Sequence, residues 1–363
     1  MPMTQKNDIA KLDKNFAPVE VANDLKWYDI RDLGIEGQGW RDTEAPYDRL
    51  PARAKSIVRP PVWDLSQHSS GLCVRFMTDS PSISARWTLR SASLAMNHMP
   101  ASGMSGLDLY AKLNGKWVWA GVGVPSAQEN CSLLGGAYAP GLREYMLYLP
   151  LYNGVTSVMI GIETKARLAK AAPLAGRQAA GMVVYGTSIT QGGCACRSGM
   201  GYPELLARAL HCNSINLGFS GNGPMEIELI RLMIELNPAV YILDCLPNMT
   251  PEHVRKRTEP AVYTLRAAHP DTPIVLVENI TYQRAPVQTP GMVGHERKNI
   301  EFKAAWKNLR KAKVKGLFYV SGAKLLGSDN LGSVDGTHPT DVGFMRIAQA
   351  LESVVRKIIT GKR

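Results

Sequence analysis

V-V-Y-G-T-S-I-T-Q-G-G-C-A-C, Val183 to Cys196, is an apolar β-branched run that stops at Gly186 and delivers Ser188 into a short polar turn. A run of this kind, closed by a glycine, reads as a buried strand. A helix signal follows, with Pro203 near its first turn and Leu205, Leu206, Ala209 and Leu210 on one face. Strand, turn and helix in that order present the Ser188 hydroxyl at the carboxyl end of a sheet strand, where open parallel sheets form their ligand crevice. Taken alone, G-T-S-I-T is a structural turn as readily as a nucleophile, so its meaning depends on the remaining chain.

Around this stretch strand and helix patterns alternate. Gly181 to Gly186, Ser214 to Leu217, Ala239 to Asp244, Pro273 to Glu278 and Gly316 to Val320 read as strands. Pro224 to Leu236, Pro251 to Ala268, Arg297 to Ala312 and Thr340 to Ile359 read as helices. Right-handed crossovers would place them on both faces of one parallel sheet. Upstream the pattern differs. Leu72 to Met77, Ser82 to Thr88, Leu107 to Leu113, Lys116 to Val122, Glu144 to Leu149 and Thr156 to Ile162 are short β-rich runs separated by turn residues, as in a sandwich or jelly roll. The basic, alanine-rich Thr164 to Ala180 contains Pro173 and marks a junction, with a helix expected before the proline. The expected division is an N-terminal arm over residues 1–50, a β-sandwich over 51–175 and a catalytic α/β domain over 176–363.

Composition narrows the function. The 363 residues are 45% hydrophobic and 20% charged, enough for two cores. No apolar stretch approaches the roughly 18 residues of a membrane span. The net charge of +11 lacks a nucleic-acid motif or stacking platform beside it and reads as diffuse surface charge, so no nucleic-acid partner is expected. The N-terminus lacks the apolar core of a signal peptide, which implies a cytoplasmic location, or a secreted or periplasmic one if a signal has been removed. Six scattered cysteines demand no disulfide framework, and their spacing matches no zinc site, so reduced thiols and no metal are expected.

Four stretches fall just after predicted strands or before the last helix, and each supplies a different part of an acyl-transfer site. Ser188 is the first. In N-L-G-F-S-G-N-G, Asn216 to Gly223, Gly221 can bring a backbone N–H into the crevice, although Asn222 could equally cap a helix. In L-D-C-L-P-N-M, Leu243 to Met249, the Asn248 amide could join the N–H groups of Ser188 and Gly221 in holding an oxyanion. In D-G-T-H-P-T, Asp335 to Thr340, Asp335 can hold the His338 ring while His338 acts as base toward Ser188.

With these blocks in order, the sequence resembles the SGNH hydrolases, also called GDSL-type esterases and lipases, whose name records the serine, glycine, asparagine and histidine of four blocks. Here these are G-T-S-I-T, N-L-G-F-S-G, D-C-L-P-N and D-G-T-H. Upstream, G-L-D-L-Y, Gly106 to Tyr110, resembles the motif of a β-rich N-terminal domain in one bacterial branch of that family. Two departures, Thr187 where aspartate is usual and P-N-M in place of G-x-N-D, read as features of that branch that bear on substrate fit. The resemblance implies a flavodoxin-like three-layer αβα domain with a five-stranded parallel sheet, preceded by a jelly-roll-like sandwich. It also implies ester hydrolysis by a Ser188, Asp335 and His338 triad without a cofactor.

The expected partner is a small-molecule or glycan ester, most simply an acetylated sugar; a homo-oligomer is left open. The alternatives are a lipid-type esterase, lysophospholipase or thioesterase, and a non-catalytic carbohydrate-binding protein. The small and polar Thr190, Gln191, Gly192 and Gly193 argue against a large acyl pocket. Tyr282, Arg284 and His295, in the long loop Thr281 to Glu296, are candidate substrate contacts. Lys303, Lys307, Arg310 and Lys311 read as a solvated helix face. Nothing in the spacing of Asn97, His98 or Asp108 lifts them above core or loop.

Overall fold

Alternation of buried and exposed side chains builds the first half of the chain. The computed structural model describes residues 13, 21, 24–289 and 294–361. In it β1 (Leu25–Asp29), β2 (Ile35–Glu36), β3 (Cys73–Thr78), β4 (Ile83–Leu89), β5 (Leu107–Leu113), β6 (Lys116–Gly123), β7 (Glu129–Gly135), β8 (Arg143–Tyr148), β9 (Val155–Glu163) and β10 (Leu168–Lys170) pair antiparallel. They form two sheets, ordered β1-β9-β4-β7 and β10-β3-β8-β5-β6, with β2 also beside β3. Val74, Phe76, Ile83, Ala85, Trp87, Leu107, Leu109, Val158 and Ile160 stand on inward faces at the period of two that a strand dictates, and fill one core.

The second half is a doubly wound sheet. β11 (Met182–Gly186), β12 (Ser214–Gly218), β13 (Val240–Asp244), β14 (Ile274–Val277) and β15 (Leu317–Val320) run parallel in the order β12-β11-β13-β14-β15. Both faces are covered, which is why these strands read as continuous apolar runs. Val183, Tyr185, Leu217, Tyr241 and Leu243 face α2 (Ile227–Met233), α3 (Pro251–Ala268) and α4 (His295–Lys311), whereas Met182, Val184, Val240 and Ile242 face α1 (Tyr202–Leu210) and α5 (Asp341–Thr360). Among the described residues no helix is long and apolar enough to cross a membrane, and the six cysteines are free thiols.

Four expectations change. The basic segment before Pro173 forms the edge strand β10 against β3 rather than a helix, and a single helical turn, Gly176–Ala180, follows the proline. On α1, Leu206 and Leu210 are buried but Ala209 is exposed, the apolar face having turned toward Tyr202 and Ala207. Residues 1–50 are not a separate arm where they are described: β1 pairs with β9 and β2 with β3. Nor does a boundary at residue 51 separate the two cores. Trp40, Leu50, Ala54, Val58, Val62 and Trp63 pack into the apolar layer of the parallel sheet, against the same face as α2 and α3. Each such large side chain contributes about 1.5–3 kcal/mol by its burial, so the α/β domain is completed by chain that runs between the sandwich strands β2 and β3.

Candidate active site

Strand register brings the first three blocks level. Gly186 at the end of β11 lies opposite Gly218 on one side and Asp244 on the other, so the loops that follow leave the sheet at one edge. A side chain at Gly186 would run into the Thr190 hydroxyl and the Asp244 carbonyl, which is why the strand must end in glycine. Thr187 then caps a one-turn helix, Ser188–Gln191, by accepting the Ile189 N–H at 3.3 Å, and Gly192 closes it with φ 99°.

Ser188 is only 7% exposed, with its Oγ 2.8 Å from Nε2 of His338. Nδ1 of His338 lies 2.7 Å from Oδ2 of Asp335. The other carboxylate oxygen of Asp335 accepts the backbone N–H groups of Thr337 and His338, at 2.9 and 2.7 Å. Partial burial would raise the Asp335 pKa, but the His338 ring and these N–H donors outweigh it and hold the group down to about 2. The carboxylate is therefore ionised throughout the working range, and in the order hydroxyl, imidazole, carboxylate the imidazole can take the hydroxyl proton while the carboxylate orients it and stabilises its charge.

Gly221 has φ 69° with open space where a side chain would stand, so its requirement is conformational rather than steric. The Asn248 carbonyl oxygen accepts the Gly223 N–H at 3.1 Å, which fixes the amide and leaves its N–H groups for another acceptor. A Cβ at Gly223 would meet the Gly186 carbonyl, so the second block packs directly on the first.

Several groups that hold this arrangement had no local signal. The buried Gln191 accepts the Ser220 N–H at 2.9 Å and donates to the Leu151 carbonyl at 3.1 Å, bracing the Gly221 loop against the sandwich. Its amide N–H also meets Nδ1 of His68 at 3.1 Å and can only donate, so that nitrogen is the acceptor, and burial, which pulls His68 down to about 4, keeps the ring neutral. Tyr152 donates to the Ser188 carbonyl at 3.2 Å. Thr190 turns inward to Tyr202 and Asp244. The polarity of Thr190 and Gln191 is thus spent internally and does not describe an acyl pocket. Arg49, 1% exposed, donates to the carbonyls of Asn216 and Gly218 at 3.0 and 2.8 Å and to those of His68 and Leu65 at 2.9 and 2.7 Å.

The G-L-D-L-Y stretch has a structural reading as well. Asp108 is fully buried; Oδ1 accepts from Arg197 and the Trp119 indole at 3.0 and 3.1 Å, and Oδ2 from Tyr110 and the Gly199 N–H at 2.9 and 3.0 Å. The motif ties the sandwich to the loop between the Ser188 turn and α1.

Below the turn, burial drives Asp244 from its ordinary 3.8 to about 7, against the pull of hydrogen bonds from Tyr202 and Thr190. A carboxyl raised in the folded state binds its proton more tightly there than in the unfolded chain, so stability should fall as pH rises from about 4 through about 7. Asp244→Asn should flatten part of that fall, the hydroxyls rotating to accept; Glu204, likewise pushed up by burial to about 7, supplies the remainder. Melting curves across this range check it, and an unchanged slope in the variant would contradict the assignment.

Of the loop candidates, Arg284 is exposed, with its side-chain carbons beside Gly336 and hence next to the Asp335 turn. Tyr282 is half-buried, its ring 5.3 Å from that of His295 and its hydroxyl bonded to Asn279. His295 is 6% exposed and shut in against Tyr282, so it packs the loop rather than offering a ring to substrate. Residues 290–293 of this loop lie outside the described residues. The sandwich, by contrast, brings His98 to the site: its ring centroid is 5.9 Å from that of His338 at an interplanar angle of 72°. Cys194 joins the two, with its sulfur and one nitrogen of each ring within 4.8 Å of one another.

Comparisons with known proteins agree with this layout. The model of the GDSL-like lipase/acylhydrolase family matches residues 180–356, and that of the N-terminus of SGNH-hydrolase-type esterases matches residues 25–168. A Bacteroides ovatus protein described as a GDSL-like lipase is 34% identical with a TM-score of 0.87, over 93% of this chain and 98% of its own. The salicylyl-acyltransferase SsfX3 of a tetracycline biosynthetic pathway is 18% identical with a TM-score of 0.72, over 94% and 99%. The acetyl xylan esterase Est2A from the rumen bacterium Butyrivibrio proteoclasticus is 10% identical with a TM-score of 0.59, over 94% and 100%. The last two likenesses concern fold alone. No curated protein matches the sequence.

Proposed function

Because this chain belongs to the GDSL-like lipase/acylhydrolase family, we propose that it hydrolyses carboxylic esters through an acyl-serine intermediate, and that its substrate is a small acyl ester of a carbohydrate, acetyl before others. The observation that carries the reading is the relay from Ser188 through His338 to Asp335, with contacts of 2.8 and 2.7 Å. His338 takes the Ser188 proton as the oxygen attacks the ester carbonyl, and the ionised Asp335 stabilises the imidazolium. The N–H groups of Ser188 and Gly221 and the Asn248 amide receive the oxyanion. His338 then protonates the departing alcohol, and water resolves the acyl-serine by the same route.

A carbohydrate alcohol is supported by the groups around the nucleophile. Gly193, Gly221, Asn248, His98 and Arg284 are small or polar, and His98 and Arg284 are exposed. Such a rim favours a hydroxylated alcohol over a long acyl chain. The test is acetate release from acetylated sugars, alongside aryl esters from acetyl to lauroyl, with Ser188→Ala as control. Release that vanishes in the variant and declines with acyl length supports the proposal; preference for long chains would shift it to a lipid-type esterase.

Asn248 gives a separate check. Asn248→Ala removes one oxyanion donor and should lower kcat by about 10²–10³ with little change in KM, because the interaction forms in the transition state. A variant altered only in KM would make Asn248 a ground-state contact.

A further inference from the structure

His338 stands in a second chemical setting besides the relay. One ring nitrogen each from His98 and His338 and the sulfur of Cys194 lie within 4.8 Å of one another. Two imidazoles and a thiol form the donor set that Zn²⁺ and related transition metals prefer. Tetrahedral Zn–N and Zn–S bonds put ligand atoms about 3.3–3.7 Å apart, so closure by roughly 1 Å completes the set. The exposed His98, on the turn joined by the Met96–Met99 bridge, is free to supply that movement.

Two further features distinguish this cluster from a chance meeting of side chains. Nδ1 of His338 is bonded to Asp335 at 2.7 Å, which leaves Nε2 as the nitrogen for a metal, in the carboxylate–histidine arrangement that orients metal-binding imidazoles. Cys194 is buried and keeps φ 76°, in the left-handed region that costs a non-glycine residue about 1–2 kcal/mol. That turn holds the thiol between the catalytic turn and the sandwich, where the Asp335 charge favours a cation.

We propose that His98, Cys194 and His338 form a transition-metal site through which Zn²⁺ or a similar cation reversibly shuts down the enzyme. On binding, the Cys194 S–H bond breaks, its proton passes to solvent and the sulfur electron pair forms the metal bond. The Nε2 lone pair of His338 turns from Ser188 to the metal, breaking the 2.8 Å hydrogen bond. No oxidation state changes, and water or the Ser188 oxygen fills the fourth position. The inhibitory consequence rests on the reading of His338 as the general base; metal capture does not.

The test uses the full chain, first stripped with a chelator. Co²⁺ titration should give a thiolate-to-cobalt charge-transfer band saturating at one equivalent, also in Ser188→Ala, where esterase activity plays no part. The band should vanish in Cys194→Ala and persist in Cys131→Ala, which removes an exposed thiol. His98→Ala should weaken Co²⁺ binding at least tenfold, since loss of a ligand's outer partner alone costs about 10–100-fold. Zn²⁺ should inhibit aryl acetate hydrolysis reversibly with EDTA, and the half-inhibiting concentration should rise at least about tenfold in both ligand variants, each against its own basal rate. His98 is exposed, so that variant reports even if Cys194→Ala fails to fold. Absence of the band at millimolar Co²⁺, its survival in Cys194→Ala, or unchanged Zn²⁺ inhibition in both ligand variants would overturn the proposal. A protein that binds Co²⁺ as described yet hydrolyses no ester would keep the metal site and remove the esterase reading.

Discussion

Ser188→Ala should lower kcat for aryl acetate hydrolysis by roughly 10⁶-fold, because it removes the only atom that forms the acyl bond in the proposed mechanism while the oxyanion donors remain. Stability should hardly change. The substitution deletes one hydroxyl at a position where the turn is set by backbone contacts, the Thr187 cap and Gly192, and His338 keeps its bond to Asp335. The two effects must therefore separate: melting temperature near the wild type, rate cut to the roughly 10³–10⁴-fold over water that oxyanion donors and binding alone sustain. Adding His338→Ala should cost little more, since nucleophile and base act as one unit and their losses do not add. A Ser188→Ala protein that keeps more than about a hundredth of the rate would take Ser188 out of the nucleophile's role.

The contacts of Ser188 with His338 and of His338 with Asp335 were legible because their parts sit in short contiguous blocks. G-T-S-I-T and D-G-T-H each carry their own turn chemistry, and the five parallel strands announce themselves as apolar runs because both sheet faces are covered. The structure then needed only register to bring Gly186, Gly218 and Asp244 level. Legibility failed where a segment's state is set by distant partners. β7 carries exposed and half-buried side chains at most positions, so E-N-C-S-L-L-G lacks the pattern of a core strand, and β10 is three residues of an alanine-rich stretch recruited by β3. His98 meets a ring 240 positions away, and Gln191, although inside the most telling stretch, reveals nothing of its bracing role without Ser220 and Leu151 beside it. Domain division failed for the same reason: Trp40 to Trp63 lie between sandwich strands β2 and β3 in sequence but finish the apolar layer of the other domain.

Arg49 tests how far the two halves form one machine. Its guanidinium, pulled down by burial to about 10 and so still charged, lies 4.9 Å from the Phe219 ring and spends its N–H fork on four carbonyls. Two of these belong to Asn216 and Gly218, at the end of β12 where the chain departs toward Gly221. Charge-assisted hydrogen bonds of this kind contribute about 1.5–3 kcal/mol each, offset in part by the desolvation of the cation. Arg49→Met, which keeps the apolar stem but strands the carbonyls, should therefore lower stability by roughly 3 kcal/mol or more, read from the denaturant midpoint. Arg49→Lys should recover only part of this, a single ammonium being unable to reproduce the fork. In the fraction that stays folded, kcat should also fall, by about 10²-fold if release of β12 shifts the Gly221 N–H by 1 Å. A loss of stability below about 0.5 kcal/mol would place Arg49 among surface-like positions and make the sandwich a neighbour of the hydrolase rather than part of its active site. Loss of stability with kcat intact would instead confine Arg49 to holding the domains together, leaving the Gly221 loop to be positioned by its bonds to Gln191 and Asn248.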